Sequence, residues 1–598
     1  MPTSALSQYL NRLLRRGPPR HYRGPEVAAI LPRLGELTAD SLNLSADRLQ
    51  AVLEETYLHP THPTPHRLLT AEADALLAGQ FRPANRWEPQ PLGFPPPWGA
   101  DPFDDDNWVS ALHGLEWLIP LVHSHAGDPE KGYLEKAKFA IEDWILRNPF
   151  RRAPSRFSWH DHAAAKRLRL FTWFWEQYRE SDEFDPEFAR LLLASVYQHV
   201  LYHLDERNYR PDSNHGLEGI GALWAAGITF PFFRDARSWE AKAAERLRQW
   251  LADNLSPEGF HMEQSPSYHW FVLLRMAAID RFLRANGRDE PVLTEAAERA
   301  AAVWPHLLRP DGQIPPIGDS GTEAPQDWRG LLERRWGRTV PKPTEATGPA
   351  VSTDRRGLVV SPRAGYAVFR SAGLSDEESK QDIHVVFRCR AFVSPHCHYD
   401  ALSFVLYGLG RDWLVDSGYL NYHEWDPRRQ YLRSPRAHTL VLIGDHDFRT
   451  QQNDLADWGR TEDGDYAVAY HDLPRGRHAR RLLLMRSGEI LLRDEVQHTG
   501  RRWLPWAQLF QIAPDLEVVP VSDRETYLKA QDGSGCVIRQ DVRGQWRVVR
   551  GQERPRLQGW YSPAYGQWEP STTLFFYLPL GVSRVESRLT LEQSGSST

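Results

Sequence analysis

The sequence contains little sulfur, with only three cysteines and four methionines among 598 residues. Cys389, Cys397 and Cys536 are too few for a disulfide framework, and their spacing matches no cysteine-based zinc site. No apolar run is long enough to cross a membrane, and residues 1–12 lack the apolar region of a signal peptide. These absences predict a cytoplasmic protein, or a periplasmic one if a signal has been trimmed, without a membrane span.

An excess of basic residues is also lacking. Lys and Arg number 72 against 78 Asp and Glu, which gives a formal net charge of -6. Proteins that bind nucleic acid usually carry a basic surface and a high isoelectric point, so nucleic acid is not an expected partner. A cleft can still be locally basic on an acidic protein, and several arginines cluster between residues 428 and 436. That cluster suits an anionic ligand, although each arginine could equally be a solvated surface charge.

The length and the hydrophobic pattern predict two large domains. From about residue 25 to 340, apolar residues recur every three to four positions, which is typical of amphipathic helices. Pro and Gly separate several of these segments, for example at Asp185-Pro186. Many helices joined by modest loops favour an antiparallel helical array or a helical toroid.

The pattern changes after residues 337–357, which are rich in Pro, Thr and Gly and predict a linker. Beyond it, short segments with a period of two predict strands at 384–387, 439–442, 466–469 and 573–577. Residues 482–493, with Ser487-Gly488 in the middle, predict a tight hairpin. We therefore expect an α+β multidomain protein that ends in an antiparallel β-sandwich. The expected domains are an N-terminal helical arm or toroid start (1–100), a toroid (101–345) and a sandwich (346–598).

The segment 394–404 carries the most chemistry, with the sequence Ser-Pro-His-Cys-His-Tyr-Asp-Ala-Leu-Ser-Phe. On a strand, the alternating side chains of His396, His398 and Asp400 would share one face. Burying imidazoles and carboxylates is costly unless each is paired or coordinated. Further along the chain come Asp416 and His438. Neutral imidazoles and a carboxylate suit a tetrahedral Zn²⁺, so this cluster indicates an enzyme.

A second group of polar residues lies in the helical half, at Ser-Asn-His-Gly-Leu-Glu-Gly, residues 213–219. Asn-His-Gly before an apolar run is also how a helix begins, with Asn214 as the N-cap, so a structural role is an open alternative. In a helix, His215 and Glu218 would share a face. Further on, Tyr268 and His269 follow Gln-Ser-Pro-Ser at the start of another helix.

These three motifs, in this order, resemble those of the heparinase II/III-like polysaccharide lyases, which include heparinase and oligoalginate lyase relatives. The resemblance covers about residues 100–500. It implies an N-terminal (α/α) toroid, which contributes catalytic residues, followed by an antiparallel β-sandwich, the same order as the hydrophobic pattern predicts. It also implies an acidic, uronate-containing poly- or oligosaccharide as the partner of the protein.

The resemblance implies a role for each matching residue. Asn214 corresponds to the residue that binds and neutralises the uronate carboxylate, with His215 as its catalytic neighbour. Tyr268 corresponds to the catalytic acid, which in some relatives is also the base, and His396 to the catalytic histidine. The residues expected to contact the substrate are Glu218, His269, Tyr422 and Arg433. Some relatives use a second tyrosine, and the sequence does not choose between Tyr419 and Tyr422.

The resemblance also implies one Zn²⁺, held by His398, Asp416 and His438. In relatives this metal is mainly structural and holds the loop that presents the catalytic histidine, and Asp400 is expected to support it from outside the ligand set. One departure is visible: many relatives have Asn-Thr-Val after the last histidine, whereas this chain has Thr439-Leu440-Val441. Strand alternation alone would allow both His396 and His398 on the metal, so giving His396 to the substrate rests on the resemblance.

The reaction implied is β-elimination, in which the C5 proton of a uronate leaves and the bond from C4 to the leaving oxygen breaks. A glycoside hydrolase on the same toroid is an alternative that would use two carboxylic acids, and Glu218 and Glu263 are available. A metal-dependent hydrolase would need a histidine where Ala401 stands, and a non-catalytic polysaccharide-binding protein is a third alternative. The polysaccharide and the choice of endo or exo action stay open, although the lack of an export signal favours a bacterial exopolysaccharide.

Overall fold

The structure is a computed structural model. It describes residues 66–598 apart from 85, 126, 151–152, 180, 232, 234, 341–356, 373–379, 391–393, 395, 445–446, 449–452, 474, 499–503 and 595–598. Most of the predicted N-terminal arm, up to residue 65, and most of the predicted linker lie outside the described residues. The predicted domain limits therefore stay predictions. Within the described ranges, no helix is both long and apolar enough to span a membrane.

From residue 66 to residue 336 the described chain is mainly helical, with one short ribbon of strands β1 (Gln80–Phe81) and β2 (Gln90–Pro91). The helices are α1 (His66–Leu77), α2 (Asp106–Gly114), α3 (Ile119–His125), α4 (Tyr133–Arg147), α5 (Asp161–Tyr178), α6 (Pro186–Leu204), α7 (Asn214–Thr229), α8 (Ala236–Asn254), α9 (Pro266–Ala285), α10 (Pro291–Leu307) and α11 (Trp328–Trp336). Local sequence explains several starts. At α6 the Asp185 side chain accepts a hydrogen bond from the Glu187 amide, and proline occupies the first helical position.

The chain forms two compact units, and the described part of the first comprises residues 66–252, 274–294 and 330–338. Helix α5 packs against α2, α6 and α7 in this unit. Residues 216–229 of α7 are all buried, which explains its high content of apolar and small residues. Gly216 allows a close approach, because an added Cβ there would lie 2.3 Å from the Arg210 carbonyl oxygen.

The second unit comprises residues 253–273, 295–329 and 339–598 and contains nearly all the strands. They are β3 (Leu358–Ser361), β4 (Tyr366–Arg370), β5 (His384–Arg388), β6 (Phe404–Gly408), β7 (Arg411–Leu414), β8 (Val441–Ile443), β9 (Asn453–Arg460), β10 (Gly464–Leu473), β11 (Gly476–Met485), β12 (Ile490–His498), β13 (Trp506–Ile512), β14 (Glu517–Pro520), β15 (Glu525–Lys529), β16 (Gly535–Gln540), β17 (Gln545–Arg550), β18 (Trp560–Tyr561), β19 (Glu569–Pro570), β20 (Thr572–Tyr577) and β21 (Arg584–Glu592). Helix α12 (Pro427–Arg433) lies between β7 and β8.

Most of these strands form two antiparallel sheets. One sheet has the order β17-β20-β13-β7-β6-β5-β4-β3, with β8 also paired to β13, and the other has the order β14-β15-β16-β21-β12-β11-β10-β9. Phe404 and Leu406 of the first sheet share one apolar core with Leu482 and Leu492 of the second, so the two sheets pack as a sandwich. The predicted hairpin is present, because β11 pairs with β12 and Leu484 lies opposite Ile490.

The expected strand around His396 is absent, so this prediction was wrong. Residues 396–403 form turns and bends, and β6 begins only at Phe404. Leu402 has a φ of 65°, a left-handed conformation that interrupts an extended chain. The amide of Ser403 also donates to the carbonyl oxygen of Asp400 at 2.9 Å. The alternation of polar residues in this segment therefore reflects a turn that precedes a strand.

Candidate active site

Tyr268 and His396 form the centre of a polar cluster in the second unit. Tyr268 lies in the first turn of α9, two residues after Pro266, which begins that helix. Its ring stacks on the His396 imidazole, with 3.6 Å between ring centroids and 20° between planes. The Tyr268 hydroxyl shares a hydrogen bond of 2.9 Å with the Tyr422 hydroxyl. Three residues predicted to contact substrate are therefore brought together.

The protonation state of the two tyrosines follows from this arrangement. Burial raises the pKa of Tyr268 well above its usual value, although the hydrogen bond from Tyr422 opposes this effect. Burial and the neighbouring Tyr268 likewise raise the pKa of Tyr422 well above normal. Tyr268 is therefore protonated at neutral pH, which is the state that a general acid needs.

A buried aspartate, Asp319, forms a hydrogen bond with the His396 ring. His396 Nδ1 donates to Asp319 Oδ2 at 3.0 Å, and His398 Nε2 donates to Asp319 Oδ1 at 3.2 Å. Arg429 of α12 makes a bidentate contact with the same carboxylate, at 3.1 Å to each oxygen. Burial would raise the pKa of Asp319, but Arg429 and the two histidines lower it well below its usual value. Asp319 is therefore a carboxylate.

The loop that carries Asp319 forms hydrogen bonds with the segment that carries His396 and with the start of α9, which carries Tyr268. The Asp319 amide donates to the His396 carbonyl oxygen at 3.1 Å. Ser265, immediately before α9, donates through its hydroxyl to the Asp319 carbonyl oxygen at 3.1 Å. The Ser267 amide donates to the Ser320 hydroxyl at 3.1 Å. These bonds give both serines of the Gln-Ser-Pro-Ser-Tyr motif a structural role.

The three residues predicted to bind zinc also lie together. One ligand atom from each of His398, Asp416 and His438 falls within 4.8 Å of the others, and all three residues are buried. His438 Nδ1 lies 2.9 Å from Asp416 Oδ1, whereas His438 Nε2 and Asp416 Oδ2 have no hydrogen-bond partner. Buried polar atoms without partners are costly, so this donor set fits a divalent cation such as Zn²⁺.

Other residues predicted in this unit have structural contacts of their own. Both ring nitrogens of His269 face the backbone, with Nε2 at 3.0 Å from the Ala300 carbonyl oxygen and Nδ1 accepting from the His261 amide. Arg433 pairs with Glu424 at 3.2 Å. Tyr419 lies 5.8 Å from Tyr422 between ring centroids. The substrate contacts expected of His269 and Arg433 stay predictions.

Asp400, expected to support the metal from outside the ligand set, lies in a buried ion pair. Its Oδ2 accepts from Arg388 Nε at 3.1 Å, and the same arginine donates to the Gln264 side chain at 2.9 Å. Arg388 also lies over the Tyr366 ring. The carboxylate of Asp400 also interacts electrostatically with His438, and its support of the metal ligands stays a prediction.

The first unit holds the second predicted group. The N-cap of α7 is Ser213, and Asn214, buried, is the first helical residue, so the alternative with Asn214 as N-cap is wrong. His215 Nδ1 lies 3.1 Å from Asp161 Oδ1, and the His215 ring stacks on His162 at 4.6 Å. Asp161 has a lowered pKa because His215 and His160 outweigh its burial.

His160, Asp161 and His215 form a second group of three side chains that could hold a metal ion, with ligand atoms within 4.8 Å. His160 Nδ1 lies 3.0 Å from Asp161 Oδ1, and Arg210 Nε lies 3.4 Å from Asp161 Oδ2. The carboxylate is already surrounded by positive or hydrogen-bonding groups.

Glu218 is paired with two arginines. Its carboxylate is fully buried and contacts Arg169, and Arg275 Nε lies 2.5 Å from its other oxygen. Burial would raise the pKa of Glu218, but the two arginines lower it to about 2. Glu218 thus holds two buried cations, and its predicted contact with substrate stays a prediction.

Sequence reasoning did not find Asp319, Asp161 or the role of Arg429. Asp319 lies 77 residues before His396, in a loop whose Pro-Ile-Gly-Asp-Ser sequence resembles an ordinary turn. Arg429 belongs to the arginine cluster expected to bind an anion, and its anion is an aspartate of the same chain. The only guide to Asp319 and Asp161 in the sequence is chemical: a histidine proposed as catalytic usually has an acidic partner.

Comparison with known proteins finds matches over both halves of the chain. Residues 65–345 match the family model for the heparinase II/III N-terminus, and residues 353–592 match the model for the heparinase II/III-like C-terminal domain. A heparin-sulfate lyase of Pedobacter heparinus is 23% identical over 494 residues, which cover 78% of this chain and 72% of that protein. A heparin-sulfate lyase of Bacteroides thetaiotaomicron is 22% identical over 399 residues, or 61% and 56% of the two chains.

Solved structures show the same fold. A heparinase III structure superposes with a TM-score of 0.76 at 17% identity and covers 94% of both chains. A heparan sulfate lyase from Pedobacter heparinus gives a TM-score of 0.67 at 18% identity and covers 92% of this chain and 88% of that one. The predicted fold class, a helical toroid followed by an antiparallel sandwich, is confirmed. The chain belongs to the heparinase II/III-like family.

Proposed function

We propose that this protein, a polysaccharide lyase by its family, cleaves a uronate-containing acidic polysaccharide by β-elimination. The observation that carries the proposal is the stacked pair of Tyr268 and His396, with Tyr268 bonded to Tyr422 and His396 bonded to Asp319. A proton donor and a proton acceptor thus lie side by side. The predicted class of enzyme agrees with the names of the curated relatives, which are heparin-sulfate lyases.

The protons of the proposed reaction move between these two groups and the sugar. Because His396 Nδ1 donates to Asp319, Nε2 of the neutral ring is free to accept the C5 proton. As the C5–H bond breaks, a double bond forms between C4 and C5 and the bond from C4 to the leaving oxygen breaks. Tyr268, protonated at neutral pH, donates its proton to that oxygen. General acid and base catalysis contribute about 10²–10⁴-fold each.

Neutralising the uronate carboxylate is the third requirement, because the C5 proton is only weakly acidic while that group is charged. The family resemblance assigns this role to Asn214, with His215 as its neighbour in the sequence. An amide that donates to the developing enolate charge contributes about 3 kcal/mol. The contact between His215 and Asp161 supports a fixed ring orientation for that histidine.

A divalent cation is proposed at His398, Asp416 and His438, and Zn²⁺ is the ion that this donor set suits best. When bound, the cation supplies positive charge to two buried imidazoles and a carboxylate. His398 lies two residues after His396, Asp416 lies two residues after the end of β7, and His438 lies five residues after the end of α12. The proposed role is therefore structural, fixing the segments that present His396.

The substrate that we propose to test first is a heparan-type glycosaminoglycan. The curated relatives are named for that class, and heparan chains contain the uronate that elimination requires. A bacterial exopolysaccharide and alginate share this uronate, so they belong in the same experiment.

The glycoside hydrolase alternative is weakened at one of its two candidate acids, Glu218. A hydrolase needs one carboxylic acid that stays protonated near neutral pH. The pKa of Glu218 is lowered to about 2 by Arg169 and Arg275, which makes this residue unsuitable. The pair of Tyr268 and His396 would also have no role in such a mechanism.

The experiment is to incubate the purified protein with heparan sulfate, heparin, alginate and a uronate-containing exopolysaccharide. We expect ultraviolet absorbance from a conjugated C4–C5 double bond, with product masses that add up to the substrate mass. A matched control is heparan sulfate whose carboxyl groups have been reduced to alcohols, which cannot be cleaved by this route. Products that each gain one water and lack the absorbance would refute the proposal and favour a hydrolase.

A further inference from the structure

Asp319 contacts two histidines that have different proposed tasks. His396 is the proposed base, and His398 is a proposed metal ligand, yet both donate to the same carboxylate. We propose that Asp319 is a positioning residue that fixes the tautomers and ring orientations of both histidines, and so links the metal site to the base. This inference rests on the proposed lyase function.

The hydrogen-bond pattern determines which ring nitrogens are free. An ionised carboxylate only accepts hydrogen bonds, so the nitrogens that face it, His396 Nδ1 and His398 Nε2, must each carry a hydrogen. In the neutral rings, His396 Nε2 and His398 Nδ1 are then the unprotonated nitrogens. The first is free to accept a proton. The second faces Ser417 Oγ at 3.4 Å and is available as the metal-binding atom.

Arg429 binds both oxygens of this carboxylate and leaves room for both histidines. Its two terminal nitrogens each contact one oxygen of Asp319 at 3.1 Å. Arg429 Nη1 also donates to the Asn421 carbonyl oxygen at 2.7 Å, which fixes the guanidinium itself. Every oxygen of Asp319 therefore accepts from one histidine and one arginine nitrogen, an arrangement that an amide could not reproduce.

Replacing Asp319 by asparagine would leave the shape nearly unchanged but put an NH₂ group against one of these donors. If the NH₂ faced His396, Nδ1 would have to become the acceptor, and Nε2 would then carry the hydrogen and could not accept a proton. If it faced His398, that ring would present the wrong nitrogen to the metal. Either arrangement also places the NH₂ group against a nitrogen of Arg429.

A purely structural role is the competing explanation, and the protein contains a matched control for it. Asp494 is also buried in the second unit and accepts from an arginine and a histidine. Arg480 contacts both of its oxygens, at 2.7 and 2.8 Å, and His478 Nε2 lies at 2.7 Å. Neither His478 nor Arg480 belongs to the proposed catalytic or metal site.

The experiment compares the kinetics of D319N and D494N on the substrate that the wild-type protein cleaves. The assay temperature is chosen so that both variants are folded to the same extent. We expect the kcat of D319N to fall about 100- to 1,000-fold, since the base is in the wrong tautomer, with KM changed less than about threefold. The kcat of D494N should stay within about threefold of wild type, although both variants lose thermal stability. An unchanged kcat in D319N, or equal losses of kcat in both variants, would overturn the proposal.

Zinc affinity gives a readout that does not depend on turnover. In competition with a chelator, D319N should bind Zn²⁺ about 10- to 100-fold more weakly than wild type, and D494N should bind it normally. Unchanged zinc affinity in D319N would overturn the link to His398. If D319N does not fold, the double variant D319N/R429Q also removes the arginine that has lost its Asp319 partner, and the same losses are expected there. A wild-type protein that gives no unsaturated product would instead refute the proposed function.

Discussion

At the scale of single residues, the hydroxyl of Tyr268 is the group on which the proposed mechanism depends most. Replacing Tyr268 by Phe removes the proton donor but keeps the ring that stacks on His396. We expect turnover to fall by at least about 10²-fold, with little change in melting temperature. Steady-state kinetics and thermal unfolding of the purified variant measure both quantities.

Tyr431→Phe is the matched control for this variant. Tyr431 is buried in the same unit, and its hydroxyl accepts from the Gly559 amide at 2.9 Å. Removing that hydroxyl leaves the amide without this acceptor. The control should lose about 1 kcal/mol of unfolding free energy and keep its turnover. Near-normal turnover in Tyr268→Phe would make Tyr268 a packing residue.

Single residues were predicted from the sequence only where a motif marked them. His396, His398 and Tyr268 stand in segments with an unusual density of polar side chains, and the structure brings them together. Asp319 had no such signal, because its role comes from a loop that approaches His396 from 77 residues away. Burial also could not be inferred for Glu218, whose two arginine partners lie on other helices.

At the scale of elements, the loop before Asp319 should be sensitive to one added methyl group. Gly318 has a φ of +58°, and a Cβ there would lie 2.8 Å from the His396 carbonyl oxygen. Gly318→Ala should therefore displace the His396 segment and reduce turnover by at least about tenfold, since displacements of about 1 Å in active sites can cost 10²-fold. Kinetic and unfolding measurements on the variant give the two effects separately.

Gly312→Ala isolates the cost of the backbone conformation. Gly312 has a φ of +80° but nothing within 4 Å of an added Cβ. Both variants should lose about 1–2 kcal/mol from the left-handed conformation, whereas only Gly318→Ala should lose turnover. Equal turnover in the two variants would show that the Gly318 loop does not position His396.

Elements with a regular hydrophobic period were predicted well. The helix that starts at Pro186 and the hairpin of β11 and β12 agree with the sequence pattern, because burial of one face imposes that period. The segment around His396 was predicted wrongly as a strand. Its polar residues bind separate partners, since His396 contacts Asp319 and Asp400 contacts Arg388. Their alternation in the sequence therefore does not reflect a common strand face.

At the scale of the whole molecule, the order of the two folds was predictable since the hydrophobic period changes from helical to alternating along the chain. Relations between residues far apart in sequence were not. The polar centre of the second unit joins Tyr268, Asp319, His396 and Tyr422 from four separate segments. Only tertiary structure sets such distances, whereas motif resemblance supplied the candidates.

Removal of the proposed metal should affect the stability of the molecule as well as its activity. A ligand that binds only the folded state adds its binding free energy to folding. A strong chelator should therefore lower the melting temperature of the wild-type protein by at least about 5 °C, and His398→Ala should show a similar decrease. Metal analysis of carefully purified protein should find one divalent ion per chain.

The His398→Ala variant and a control distinguish metal loss from the loss of a buried side chain. His471 is a buried imidazole of β10 in the same unit that contacts Phe448. His471→Ala should lose stability through its cavity, yet its melting temperature should still fall further in chelator. The melting temperature of His398→Ala should not respond to chelator, because its metal site is already lost. A wild-type protein without a stoichiometric ion, and with unchanged melting in chelator, would contradict the proposed site and leave His398, Asp416 and His438 as an underpaired buried cluster.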